Sequence, residues 1–312
     1  MSMAAAGRWL SLVVVLLSGC AGQGLRPLDP ALPVPAAARV ADVPFVEQTE
    51  GHCGPAALAM MLGWSGRGVA TSALAARLMI PVRGGTLEHD LVGAARAEGR
   101  LVLPVLGLEA VLREVAAGHP VIVLQNLALT WYPQWHYAVV VGYDLPEAVI
   151  ELHSGQDERR RVALATFRQT FERAGERAVV VLPPDRLPAT GGRKAVLAAA
   201  AALERAGRAK AALLAYRQIL VRWPEDPEAR FGEANVLVAL NELAAAAESF
   251  RTAAGSPSTA SVALNNLSHV LMLGGDLDGA ERAALEAIEG GGPGASAARR
   301  TLREVRAAKA AG

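Results

Sequence analysis

The spacing of apolar residues changes along the chain, and each change predicts a different kind of structure. One helix face is marked by four residues at i, i+3, i+4 and i+7: Leu108, Val111, Leu112 and Val115. Helices are expected after Cys53 and over 71–78, 87–98 and 109–117, with Thr86 capping the helix at 87–98. Short apolar or alternating runs predict strands near 40–45 and at 121–124, 136–143, 149–152, 161–164 and 178–182. This order predicts an α+β domain with a cleft between a helical lobe and an antiparallel sheet.

A third pattern begins after the Pro- and Gly-rich segment 183–192, where the chain becomes rich in Ala and Leu and repeats every 34 residues. The interval is shared by three sets of residues: Leu203, Leu237 and Leu271; Ala212, Ala246 and Ala280; and Gly207, Asn241 and Gly275. A 34-residue period with small residues at packing positions is typical of tetratricopeptide repeats, which are stacked helix pairs. We therefore expect an all-α repeat array over 193–312, capped by a last helix near 295–308.

The first 20 residues predict export and attachment of lipid. Arg8 precedes an apolar run from Trp9 to Leu17, and the lipobox Leu17-Ser18-Gly19-Cys20 follows. Because the run is too short to span about 30 Å of hydrocarbon, a signal peptide is favoured over a membrane-spanning helix. Similarity to bacterial lipoproteins implies cleavage before Cys20 and diacylglycerol on its sulfur. Ala21 is not the Asp that retains such lipoproteins at the inner membrane, so we expect the outer membrane, facing the periplasm.

Composition and charge narrow the possible functions. The formal net charge is +1 and the sequence has no run of Lys and Arg of the kind that binds nucleic acid, so nucleic acid is not expected as a partner. The six histidines show no His-x-x-x-His spacing, and no phosphate-binding glycine loop is present, so no metal or other cofactor is expected. With Cys20 lipidated, Cys53 would be the remaining thiol, so no disulfide is expected.

Cys53 is the strongest candidate for a reactive side chain. It lies in the polar turn Gly51-His52-Cys53-Gly54, and Pro55 with the apolar run 56–62 predicts a helix that begins there. The unpaired N–H groups at a helix start favour a thiolate, which is the nucleophilic form. A buried structural thiol is the alternative, but such a cysteine would normally lie on the apolar face within a helix. One cysteine with a distant histidine is the expected signature of a cysteine peptidase.

Two blocks of sequence resemble those of a known family. Gln48 followed by Cys53-Gly54-Pro55-Ala56-Ala57-Leu58, and the later run His136-Tyr137-Ala138-Val139-Val140-Val141-Gly142-Tyr143, resemble the bacteriocin-processing (double-glycine leader) cysteine peptidases, which have a papain-like fold. The resemblance covers roughly residues 40–184. It implies that Cys53 is the nucleophile, that His136 is the base, and that the Gln48 amide joins the Cys53 N–H in the oxyanion hole.

The third catalytic position departs from the family pattern. Such peptidases usually carry an Asp at the end of the strand that follows the histidine, whereas this chain reads Leu152-His153-Ser154-Gly155 there. His153 or Ser154 could orient the imidazole of His136 by a hydrogen bond. Neither supplies the negative charge that would stabilise an imidazolium, so the sequence predicts reduced or absent activity.

The sequence as a whole predicts five segments: a signal peptide at 1–19, a Pro- and Ala-rich tether at 20–39, a papain-like cysteine peptidase domain at 40–184, a linker at 185–192, and a tetratricopeptide repeat domain at 193–312. The expected function is a membrane-anchored cysteine peptidase that hydrolyses peptide bonds in a peptide or protein substrate. The repeats would recruit a protein partner or present the substrate. Two alternatives stay open: a catalytically inert envelope scaffold, and a thiol acyltransferase or deamidase that uses the same Cys-His pair.

Overall fold

The structure is a computed structural model and describes residues 28–29, 31–49, 51–80 and 85–311. The expected signal peptide and Cys20 lie outside these described residues. Val34–Gly312 forms one compact unit, and the elements below belong to it. None of the helices in the described ranges combines the length and the apolar character needed to cross a bilayer.

The helical lobe is organised around a helix that is buried on every side. Its four helices are α1 (Cys53–Trp64), α2 (Thr71–Leu78), α3 (Glu88–Ala97) and α4 (Leu108–Ala116). Every residue of α1 from Gly54 to Leu62 is buried. A helix made of Ala, Leu and Met on all faces has no side that prefers water, so it becomes the central element against which the others pack. Helices α2 and α3 and strand β4 (Trp135–Asp144) all contact it.

The second lobe is an antiparallel sheet, which in the described residues has seven strands. Besides β4 these are β1 (Ala37–Arg39), β2 (Leu101–Leu106), β3 (Val121–Asn126), β5 (Val149–Ser154), β6 (Asp157–Ala163) and β7 (Arg177–Leu182). The strand order is β2-β7-β3-β4-β5-β6, with β1 paired to the end of β4. Helix α5 (Leu164–Glu172) connects β6 to β7. The α+β order predicted from the sequence is therefore observed.

Two elements were not predicted. Strand β2 contains Pro104, which lacks an N–H and therefore argues against a central strand. Here β2 is the edge strand at one end of the sheet, so the missing donor costs no ladder hydrogen bond to a further strand. Helix α5 is short, but Phe167 and Phe171 at i, i+4 are fully buried and their rings stack with centroids 5.4 Å apart. That spacing was a usable signal for a helix.

The start of the sheet and the start of α3 also differ from the sequence expectation. The first strand is β1 at Ala37–Arg39 instead of 40–45, so residues placed in the tether belong to the sheet. The sequence Ala-Ala-Arg lacks the alternation of apolar and polar residues that predicts a strand. The strand is instead held by pairing with β4 and by the ion pair Arg39–Glu151 at 2.6 Å. Thr86 does not cap α3: its hydroxyl is buried without a hydrogen-bond partner, and Leu87 takes the cap position.

An all-α array follows the sheet, as the 34-residue period predicted. In the described residues it comprises α6 (Arg193–Arg205), α7 (Ala209–Arg222), α8 (Pro227–Ala239), α9 (Leu243–Ala254), α10 (Ala260–Leu273), α11 (Leu277–Glu289) and α12 (Ala295–Ala311). The turns within the three pairs hold Gly207, Asn241 and Gly275, all at positive φ. Glycine and asparagine tolerate this left-handed conformation better than other residues, which explains their recurrence. Each alanine of the set Ala212, Ala246 and Ala280 is fully buried.

A buried carboxylate of the helical lobe holds the linker segment 185–192 in place. Glu114 on α4 is fully buried and accepts hydrogen bonds from the backbone N–H groups of Ala189 and Thr190 at 3.1 and 2.7 Å, and from the Thr190 hydroxyl. His119 Nδ1 lies 2.8 Å from the same carboxylate. Burial raises the pKa of Glu114, but the hydrogen bonds from His119, Thr190 and Ala189 outweigh it and hold the pKa below its ordinary value. The segment 185–192 is therefore docked and not free.

We expect Glu114→Ala to release this segment and to lower the free energy of unfolding by roughly 3 kcal/mol, because it leaves buried N–H groups unpaired. A carboxylate with a lowered pKa stabilises the fold above about pH 4.5, and this contribution is lost as pH falls through the folded-state pKa. The stability difference between parent and Glu114→Gln should therefore shrink in acid. Urea denaturation at several pH values and limited proteolysis at 185–192 measure both effects. Glu147→Gln, at an exposed turn, is the control and should change neither.

Candidate active site

Cys53 is the first residue of α1 and is partly exposed at the wall of a cleft. The helix begins there because the carbonyl of His52 accepts the first intrahelical bond, from the N–H of Ala56 at 3.0 Å, and because Pro55 fits a first turn. Cys53 is a free thiol. Gly54 is buried so closely against Thr86 that a Cβ there would lie 2.7 Å from the Thr86 Cβ. The start of the helix is therefore packed against Thr86.

His136 is the second residue of β4 and lines the same cleft. Its Nε2 lies 2.9 Å from the hydroxyl oxygen of Ser154 at the end of β5. Nδ1 is then the ring nitrogen left for proton transfer. Burial lowers the pKa of His136, and the positive charge of Arg160 lowers it further. The imidazole is therefore neutral at neutral pH, as a general base must be.

Ser154, and not His153, is the residue that the structure brings to His136. Successive side chains on a strand point to opposite faces, so only one of the two can face the imidazole. His153 is buried on the other face, where its Nε2 donates to the carbonyl of Val43 at 3.2 Å and its Nδ1 accepts from the N–H of Arg159 at 3.1 Å. Desolvation lowers the pKa of His153. Its position is that of a structural histidine that joins β5 to the segment after β1.

Gln48 is buried and its amide is fixed on three sides. Its Oε1 accepts from the N–H of Gly155 at 2.8 Å, and its Nε2 donates to the carbonyl of Tyr137 at 3.1 Å. A longer contact of 3.5 Å joins Nε2 to the carbonyl of Cys53. An amide nitrogen carries two hydrogens, and this last contact is longer than an ordinary N–H···O bond. The second hydrogen of the Gln48 amide is therefore only weakly bound, and it lies beside Cys53.

The cleft that joins these residues has a volume of about 1090 Å³. Gln48, Cys53 and His136 lie on its wall, and its apolar lining includes Val92, Val102, Leu124 and Val179. Trp135, more than half exposed, stands at its rim, and Arg177 in the lining is paired with Glu88 at 3.0 Å. Sequence reasoning did not find the lining residues of α3, β2 and β7, because no motif marks them and they are brought together only by packing. Within the described residues no group of three or more His, Cys, Asp or Glu side chains could hold a metal ion.

Comparison with known proteins finds a family whose model matches the part of the chain that contains this site. Residues 40–179 match the model of the Peptidase_C39 like family. No curated protein matches the chain. A C39-like peptidase from Bacillus anthracis shares 20% identity with a TM-score of 0.39, and the alignment covers 47% of this chain and 97% of that one. The peptidase domain of Streptococcus ComA, a bifunctional ABC transporter involved in quorum sensing, shares 19% identity with a TM-score of 0.38, and the alignment covers 46% of this chain and 99% of that one.

The comparison with solved structures also finds tetratricopeptide domains. The first tetratricopeptide domain of Spaghetti (RPAP3), solved with an HSP90 peptide, shares 17% identity with a TM-score of 0.35, and the alignment covers 38% of this chain and 93% of that one. The family match spans Gln48, Cys53, His136 and Ser154, and a helical array follows it. The resemblance stated from the sequence is therefore confirmed: residues 40–179 of this chain match the model of the Peptidase_C39 like family.

Proposed function

We propose that the protein is a cysteine peptidase that hydrolyses peptide bonds with Cys53 as nucleophile and His136 as base. The main support for this proposal is that Cys53, at the start of a helix, and His136, held by a hydrogen bond to Ser154, both line one cleft. The large apolar part of that cleft suits a peptide substrate. Gln48 at the same wall supplies an amide donor beside the nucleophile.

The reaction would proceed through a thioester. The Cys53 sulfur attacks the carbonyl carbon of the scissile bond while His136 Nδ1 takes the thiol proton. The resulting oxyanion accepts hydrogen bonds from the Gln48 amide and the Cys53 N–H. His136 then returns the proton to the leaving amine as the C–N bond breaks. A water molecule, activated by His136, hydrolyses the thioester and regenerates the thiol.

Ser154 changes how His136 can work. For Nδ1 to accept the thiol proton, Nε2 must carry its hydrogen and donate it to Ser154 Oγ. A carboxylate in this place would enforce that tautomer and would stabilise the imidazolium by its charge. A hydroxyl can donate as well as accept, so it orients the ring but enforces neither the tautomer nor the charge. We therefore expect slow turnover compared with a family member that carries Asp.

The absence of charge at Ser154 also favours a second candidate. A C39-like domain whose histidine lacks a carboxylate partner could serve, together with the repeats, as an inert scaffold of the cell envelope. The acyl-enzyme route is shared with acyl transfer and deamidation, so a reactive Cys53 would not by itself distinguish these from hydrolysis. In either case we propose that the repeats engage a protein partner and that lipid on Cys20 holds the chain at the outer membrane, facing the periplasm.

The first test measures the Cys-His pair directly. We expect iodoacetamide to alkylate Cys53 selectively near neutral pH and His136→Ala to slow this reaction at least tenfold, because the base that removes the thiol proton is lost. Mass spectrometry of the labelled site gives the rate. His269→Ala, at an exposed histidine of the repeats, is the matched control and should leave the rate unchanged. Equal rates in the parent and His136→Ala would contradict the peptidase proposal.

The second test concerns the residue that holds the imidazole. Ser154→Asp should raise the pKa of His136 by about one unit or more, because a negative charge favours the imidazolium. Alkylation of Cys53 at pH 6 should then rise about tenfold. NMR titration of the His136 ring follows the pKa, which in the parent should lie below 6.5.

His153→Ala separates positioning from stability in the same experiment. It should lower the unfolding free energy by roughly 1–3 kcal/mol, because the Val43 carbonyl and the Arg159 N–H lose a buried partner. The alkylation rate of the folded protein should change little. A large change in His153→Ala and none in Ser154→Asp would reverse the two roles.

The third test concerns anchoring. The parent should sediment with the outer-membrane fraction, and Cys20→Ser should move to the soluble fraction because a signal-cleaved chain without lipid has no acyl chain to bury. Immunoblotting of separated fractions measures the distribution. Should both proteins partition in the same way, the lipobox interpretation is wrong.

A further inference from the structure

The cleft runs along one face of α3, away from Cys53. Thr86, just before the helix, packs against Gly54 next to the nucleophile. Glu88, Val92 and Arg96 all line the cleft, and their spacing of four residues places them on one helix face. At 1.5 Å per residue, Arg96 lies about 12 to 15 Å beyond the Cys53 end. An extended peptide advances about 3.3 Å per residue, so this distance corresponds to roughly four substrate residues.

Arg96 has an unusual setting for a cationic side chain. Its Nε is buried and has no hydrogen-bond partner, and its guanidinium forms no ion pair with a carboxylate of the described residues. The other arginine of the cleft lining, Arg177, is instead paired with Glu88 at 3.0 Å. A buried donor without a partner costs free energy, so its retention calls for an explanation.

A second cation, Arg205, lies close enough to Arg96 to influence it. Desolvation lowers the pKa of Arg96, and the charge of Arg205 on α6 lowers it further. Helix α6 belongs to the repeat array, and it packs against α3 and β2. An anion bound at Arg96 would be stabilised by the positive charge of both guanidinium groups.

We propose that Arg96 is a specificity-determining residue that binds a carboxylate of the peptide substrate, about four residues from the scissile bond. The segment between would lie on the apolar lining formed by Val92, Val102, Leu124 and Val179. The planar fork of an arginine matches a carboxylate with two parallel hydrogen bonds, and Arg96 lines the cleft that the substrate would occupy. This inference rests on the proposed peptidase function and names the substrate class that the same cleft accepts.

The experiment uses pools of nonapeptides that are acetylated at the N-terminus and amidated at the C-terminus. Each pool carries Asp at one position and neutral residues at the other eight, and the position of the Asp differs from pool to pool. Matched pools carry Asn in place of Asp. The full chain with Cys53→Ala binds without turnover, and mass spectrometry measures which pool it retains. We expect about tenfold enrichment of Asp over Asn at one position, since charge-assisted hydrogen bonds are stronger than neutral ones.

Variants of Arg96 in the Cys53→Ala chain assign the effect. Arg96→Met should abolish the preference for Asp, and Arg96→Lys should keep part of it. Arg96→Glu should instead prefer a third set of pools, in which Lys replaces Asp at the same position. Arg113→Met, an exposed arginine on α4, is the control and should retain the full preference. Equal retention of Asp and Asn pools, or an Asp preference that survives Arg96→Met, overturns the proposal. So does calorimetric binding of inorganic phosphate at Arg96 without any selection among peptides.

The outcome is separable from that of the proposed function. If the parent cleaves retained peptides but shows no Asp preference, the carboxylate site is wrong and the peptidase stands. If the Cys53→Ala chain selects Asp through Arg96 while the parent leaves the peptides intact, the carboxylate site stands and hydrolysis is wrong. A preference lost in Arg96→Met and present in Arg96→Lys also excludes a folding defect as its cause.

Discussion

Burial of α1 on every side is the constraint on which the rest of the structure depends. A helix in which every residue from Gly54 to Leu62 is buried cannot rotate or shift without exposing apolar surface, and burial is worth about 25 cal/mol per Å². The sheet packs on it through β4. Cys53 is the first residue of that helix and His136 the second of that strand. Core packing therefore places both residues on the wall of the cleft.

The sequence predicted those parts of the fold that local patterns specify. Helix α2 was predicted with its observed bounds, and the turn positions Gly207, Asn241 and Gly275 revealed the repeat because only a few residue types accept a positive φ. What it did not predict depends on neighbours distant in the chain. Pro104 concealed β2 because tolerance of proline depends on being at a sheet edge. The choice between His153 and Ser154 required the strand register, since a shift of one residue exchanges the faces.

The replacement of a carboxylate by Ser154 separates two functions that one residue usually combines. A hydrogen bond of 2.9 Å holds the ring of His136 in place, while no negative charge compensates the imidazolium. Burial and Arg160 both oppose that charge, so the local electrostatics favour the neutral ring in every respect. Such a site would keep His136 neutral and able to accept a proton. The thiolate–imidazolium pair formed during attack would, however, be poorly stabilised. The orientation of the His136 ring is thus preserved, whereas the electrostatic stabilisation of its imidazolium form is not. The two effects can be tested separately.

The docking of the repeat array determines what it can do for the cleft. Glu114 fixes the linker at Ala189 and Thr190, Arg222 of α7 donates to the carbonyl of Pro188 at 3.1 Å, and α6 packs against β2 and α3. An array fastened at three places does not behave as a tethered recruiter, whose benefit is a raised local concentration. The docking instead brings Arg205 of α6 close enough to Arg96 to lower the pKa of Arg96. A substrate carboxylate bound at Arg96, as proposed, would therefore also be attracted by a cation that belongs to the first helix of the array.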